Sequence, residues 1–157
     1  MTNYQPDLET TTSEEIESVR ANLIQVIETV ISSLDQSDSA MVSHDETESG
    51  YVWKFKYGSV ETFVQLTGTT DEDTFTVWAS VLNLPVQNEL QMTRKLLEMN
   101  WLTTFEAHFA IFNNQVVVVS SRTVAELSPG EISRIITVVA TIADDNDDAL
   151  KAEFEAA

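Results

Sequence analysis

The chain contains no cysteine. Disulfides, thiolate nucleophiles and cysteine-based zinc sites are therefore excluded, and the absence fits a reducing compartment. Glycine occurs only four times and proline three times in 157 residues. So little glycine leaves nothing for a phosphate-cradling loop, and neither GxGxxG nor GxxxxGK(S/T) is present. Histidine is limited to His44 and His108. No apolar run approaches the roughly 20 residues that cross a bilayer. The first residues, Met1 to Asp7, have neither the basic nor the apolar part of a signal peptide. The expectation is a cytoplasmic protein that does not engage membranes. Positive charge is also scarce: 8 Lys and Arg stand against 26 Asp and Glu, for a net charge of −18. Such a field repels nucleic-acid phosphates and favours a basic or amphipathic protein partner. It also serves solubility alone, so charge by itself does not choose a function.

A hydrophobic fraction of 43% in a chain of this length suits one domain with its own core. Residues 1–11 read as a flexible tail, 12–150 as a single α+β domain and 151–157 as an acidic C-terminal end. Thr12 and Glu15 have capping-box spacing. Ile16, Val19, Leu23, Val26, Ile27, Val30, Ile31 and Leu34 then form one apolar stripe of a helix ending near Asp35 to Ser37. Residues 40–42 read as a weak strand, and Asp45 to Gly50 as an acidic loop.

The next segment predicts its own pairing. Tyr51, Trp53, Phe55 and Tyr57 alternate with Val52, Lys54 and Lys56, and Gly58-Ser59 suits a type II′ turn. Folding there opposes Tyr57 to Val60, Phe55 to Thr62, Trp53 to Val64 and Tyr51 to Leu66 on one face. The other face opposes Lys56 to Glu61, Lys54 to Phe63 and Val52 to Gln65, which also sets up a Lys56–Glu61 charge pair. A strand over Thr74–Leu82 points Phe75, Val77, Ala79 and Val81 one way, and Thr74, Thr76, Trp78 and Ser80 the other. A less tidy helix covers about 88–101. A second hairpin spans about 106–122 around an Asn113-Asn114 type I′ turn. Both of its faces are apolar, so it is expected to be covered on both sides. Ser128, Pro129 and Glu131 open a last helix. The resulting fold is α+β: an antiparallel sheet of five to six strands with three helices, in the order α-β-β-β(-β)-α-β-β-α.

The inventory for catalysis is thin. His108 lies in a strand among apolar residues, which favours a partly buried structural role. Ser43-His44-Asp45 contains three triad residue types, but neighbours in sequence do not make a triad. Asp144, Asn146, Asp148 and Glu155 match calcium-loop positions, yet Ala149 stands where that loop needs glycine, so an acidic tail is preferred. No cofactor and no metal site is expected. A partner-binding surface is indicated by Lys54, Lys56, Phe63 and Trp78, which share the outward face of their strands. The competing reading places a helix over Phe63 and Trp78.

Leu96-Leu97-Glu98-Met99-Asn100, Phe109-Ala110-Ile111, Asn113 through Val118, Leu127-Ser128-Pro129-Gly130-Glu131-Ile132 and Ala143-Asp144 resemble corresponding segments of the YbjN-like proteins. These in turn are similar to the class I type III secretion chaperones. The resemblance covers about 85–150; the front half agrees in element order only. It implies a small, acidic, cytosolic, usually dimeric α+β protein that binds extended peptide segments and carries no catalytic residues. It also makes the helix around 88–101, with Met92, Leu96, Met99 and Trp101, the candidate dimer interface. The functional expectation is a non-enzymatic, chaperone-like module that engages a protein segment. The alternatives are a regulator of a folded signalling or stress-response partner, and a small hydrolase using His108 or carboxylates.

Overall fold

Apolar spacing of three and four turns Leu23, Ile27 and Ile31 inward from helix α1 (Thr12–Leu34). The computed structural model describes residues 12–35, 37–44 and 50–157. The helix begins within a residue of the expected cap. The side chain of Thr12 and the acidic loop at 45–49 lie outside the described residues. Four strands follow: β1 (Met41–His44), β2 (Tyr51–Tyr57), β3 (Val60–Leu66) and β4 (Thr74–Asn83). Helix α2 (Glu89–Met99) leads to the hairpin β5 (His108–Phe112) and β6 (Gln115–Thr123), and α3 (Pro129–Glu153) ends the fold. The six strands form one antiparallel sheet in the order β1-β2-β3-β4-β6-β5.

The β2–β3 register is the one that the alternation demands, from Tyr51 opposite Leu66 to Tyr57 opposite Val60. Gly58 takes φ 55° while Ser59 does not, as a type II′ turn requires. Lys56 does stand opposite Glu61, but the ion pair runs diagonally, from Lys54 Nζ to Glu61 Oε1 at 3.1 Å. The long lysine stem reaches across one register step.

One face of the sheet carries the core. Phe55, Val64, Phe75, Val77, Ala79 and Val118 point under α3, whose Ile132, Ile136 and Val139 cover them, and α1 packs beside α3. Thr62 and Ser120 are polar residues buried on this face; Ser120 donates its hydroxyl to the Glu106 carbonyl at 3.2 Å, whereas among the described residues the Thr62 hydroxyl has no partner. Ser128 accepts the Glu131 backbone N–H at 3.2 Å, so the cap of α3 is as expected. Asn113 and Asn114 both take positive φ, at 48° and 58°, which closes the second hairpin in a type I′ turn.

Two expectations are corrected. The β5–β6 hairpin is covered on one side only: Phe109, Val116 and Val118 are buried on the core side, Phe112 on the opposite face is exposed, and Ile111 on the edge strand is exposed as well. The acidic run at 144–148 lies inside α3, so a calcium loop and a loose acidic tail are both incompatible with its helical backbone. There Asp144 Oδ1 accepts the Ser59 backbone N–H at 2.9 Å, and Asp147 Oδ2 accepts the Ser59 hydroxyl at 2.7 Å. Beyond α3, Phe154 is buried, Gln87 donates its backbone N–H to the Glu155 carbonyl, and Ala156 bridges to Val86.

Candidate partner-binding surface

Strand alternation that sends Phe75 and Val77 to the core sends Thr76 and Trp78 to the opposite face. There Trp78 lies beside Phe63, its register partner on β3, with the rings stacked at 5.1 Å and 8°. The edge of Phe112 on β5 meets Trp78 at 5.9 Å and 80°. Lys54 Nζ sits 5.8 Å from the centre of the Phe63 ring, a geometry in which the ring face attracts the cation. Trp78 and Phe112 line a groove of about 250 Å³ together with Ala110, Val117, Val119, Gln65 and Thr76. Every lining residue belongs to a strand, so no described helix covers this face.

Of the four residues singled out from sequence, Lys54, Phe63 and Trp78 therefore come together. Lys56 is exposed further along β2, and its backbone N–H donates to Ser39 Oγ at 2.9 Å. Phe112 and the other groove residues on β5 and β6 escaped notice because they lie more than 30 residues away in sequence; the type I′ register around Asn113-Asn114 was the one signal that placed Phe112 on the outward face.

Helix α2 presents a second apolar surface. Met92 is 0% exposed and Leu96 is buried, so both serve the chain's own core rather than an outer interface. Met99 also packs against that core. Leu90, Leu97 (66% exposed) and Trp101 (82%) follow at steps of seven and four on the opposite side. Of the four residues expected at a dimer interface, Met92, Leu96 and Met99 thus face the chain's own core and Trp101 is exposed, since a helix apolar on two sides does not reveal which one is inward. Phe105, 84% exposed, adds to this end of the molecule from a left-handed backbone at φ 53°. The segment carrying it is pinned: Thr103 N–H donates to Met99 O at 3.0 Å and Ala107 N–H to Thr104 O at 2.9 Å.

His108 is exposed at the start of β5, not partly buried, because the edge strand has no neighbour on that side. The side chains of Ser43 and His44, and all of Asp45, lie outside the described residues. Among the described residues no cluster of His, Asp and Glu could hold a metal ion, and no helix is long and apolar enough to cross a membrane.

The sequence profile of YbjN, described as "Putative bacterial sensory transduction regulator", matches residues 23–152. The chain belongs to the YbjN family. No curated protein sequence matches it. Its fold is similar to a chain in the solved structure "Crystal Structure of the ExsC-ExsE Complex", with a TM-score of 0.54 and 12% identity over 83% of this chain and 94% of that one. At that identity the likeness is one of fold, and the α+β order of elements is the one expected from sequence. In this YbjN chain the motif residues are structural in a specific sense. Leu96 is core, Asn100 fastens α2 to β5, the Asn-Asn pair closes the hairpin, and Ser128 caps α3.

Proposed function

We propose that this YbjN protein is a non-enzymatic binding module that holds a segment of a partner protein on the outer face of its sheet. The observation that carries the reading is the uncovered aromatic cluster of Phe63, Trp78 and Phe112 beside an apolar groove. Rigid aromatic anchors around a small apolar pocket are what protein-binding hot spots consist of. The acidic field steers basic partners toward the chain. The ExsC-ExsE structure, similar in fold, is by its name a complex, which agrees with a protein partner. The stripe of Leu90, Leu97 and Trp101 is assigned to pairing with a second copy, and the lack of cysteine suits a cytoplasmic setting.

The test is selection of short peptides from a random display library on the full chain, with Phe112→Lys as the counter-target and circular dichroism to verify its fold. Peptides that bind the native protein and are lost with Phe112→Lys support the reading. Selection that enriches nothing, or peptides that bind both equally, removes it. The family description favours a second reading, in which the same surface regulates a folded signalling or stress-response partner. Binding to one intact protein, with no affinity for short segments, would select that alternative.

A further inference from the structure

The outer face of the sheet differs in charge from the rest of the chain. Of the 26 acidic residues only Glu61 lies within the six strands, which also hold Lys54, Lys56 and Arg122. Arg122 pairs with Glu131 of α3, so it belongs to the helical side of the sheet. The strands of the outer face are left with Lys54 and Lys56 against Glu61. His108 stands exposed in the same cross-strand row as Trp78, with Val119 between them, and adds no negative charge. A chain of −18 thus keeps one surface with a slight positive excess, and that surface carries the uncovered aromatic groove.

The lysines of the face are not equivalent. Three of the four lysines in the chain have a carboxylate partner: Lys54 with Glu61, Lys95 with Glu153 and Lys151 with Asp147. Lys56 is exposed, and among the described residues its ammonium has no ion pair, although Glu61 stands opposite it. Acids at the other end of the face, in the turn at Asp71-Glu72-Asp73, lie beyond the ends of β3 and β4. The face therefore has a positive end at Lys54 and Lys56 and a negative end past Gln65 and Thr76. Charges are felt over about 8 Å at physiological salt. A docked segment responds to these neighbours, not to the acids of the helices behind the sheet.

Strand spacing sets the scale. Lys56 lies two strands from Trp78 and one outward position along, which is about 12 Å. An extended chain covers that in about three to four residues. This rests on the outer face as the partner site: we infer that its occupant is an acidic, apolar segment of a partner protein. One apolar side chain fills the groove against Trp78 and Phe112, and an Asp or Glu about three to four residues away meets Lys56. The field of the whole chain steers basic parts of a partner, whereas this seat takes an acidic one.

Selection of random short peptides by display, run in parallel on the native full chain and on Lys56→Glu, tests this. The Lys56 side chain has no hydrogen bond or ion pair among the described residues, so the exchange should leave the fold intact, as circular dichroism verifies. Peptides enriched on the native chain and lost with Phe112→Ser should carry Asp or Glu near an aromatic or aliphatic residue, about threefold above the input library. A synthetic peptide from that pool should bind Lys56→Glu about threefold to tenfold more weakly. Its version with lysine for the acid should prefer Lys56→Glu to the native chain. Groove-dependent peptides without an acidic excess, or with equal affinity for Lys56→Glu, overturn the inference while the face remains a partner site. Peptides indifferent to Phe112→Ser, or an empty selection, remove both. If Lys56→Glu turns a native dimer into a monomer in light scattering, a second copy fills the face and the inference fails.

Discussion

The side-chain amide of Asn100 stands in for a missing strand at Phe109. Its Oδ1 accepts the Phe109 backbone N–H at 2.8 Å and its Nδ2 donates to the Phe109 carbonyl at 3.3 Å. Phe109 lies on β5, the open edge of the sheet, where unpaired backbone groups invite another chain. The last helical turn of α2 thus supplies one rung of the ladder. Asn100→Ala should lower stability by about 1–3 kcal/mol through the orphaned backbone groups. It should also raise concentration-dependent association in light scattering. A variant with native melting temperature and native mass at every concentration would show that the rung is unimportant.

Thr62 sits among apolar neighbours, opposite Phe55 and Ala79, with a buried hydroxyl that has no partner among the described residues. Valine has nearly the same shape without the polar atom. Thr62→Val should therefore stabilise the fold by about 1 kcal/mol, or about 2–4 °C in melting temperature for a chain of this size. A fall in melting temperature would mean that the hydroxyl has a partner after all.

Gly58 holds a positive φ, and a Cβ there would run into the carboxylate of Asp144. Gly58→Ala should cost about 1–3 kcal/mol, combining backbone strain with the collision. In an Asp144→Ala background only the strain remains, so the same change should cost less. Denaturant unfolding of the four proteins of this cycle measures the coupling. Additive effects would place the turn away from α3.

The Asp73 carboxyl is held below the usual carboxylate range, chiefly by the Thr70 hydroxyl at 2.8 Å, then by the Thr70 N–H at 2.9 Å and the Thr67 hydroxyl at 3.1 Å. A depressed folded value means stability that is present above the unfolded value of about 3.9 and is lost as pH falls through the lower folded value. The difference in melting temperature between the native chain and Asp73→Asn should be constant near neutrality and shrink below about pH 4. A gap that persists into strong acid would show that the threonines bind the protonated acid equally well.

Leu97→Lys places a charge in the middle of the exposed stripe of α2. If that stripe pairs two copies, the mass by light scattering should fall from that of a dimer to that of a monomer, while the melting temperature of the isolated fold changes little. A native chain that is already monomeric refutes the pairing.

Legibility in the sequence followed the range of the interactions. The β2–β3 register, the Asn113-Asn114 turn and the Ser128 cap each depend on residues close together in the chain, and each was readable. Outward and inward sides of β3 and β4 were readable too, because strand alternation has a period of two. Trp78 and Phe63 could thus be placed on one face, but not declared open, since a helix from anywhere in the chain could have covered them.

Local pattern alone therefore determined the elements, their order, the hairpin registers and the shortage of reactive groups. Only the folded chain decided which surfaces face water. It placed Met92 and Leu96 inside and Leu90 and Leu97 outside, brought Phe112 to Trp78, turned Asn100 onto the edge strand and drew the acidic run of α3 onto Ser59. Amphipathic periodicity reports that a residue is apolar and which neighbours share its side. Whether another element comes to rest there depends on packing among segments far apart in sequence, which no local pattern encodes.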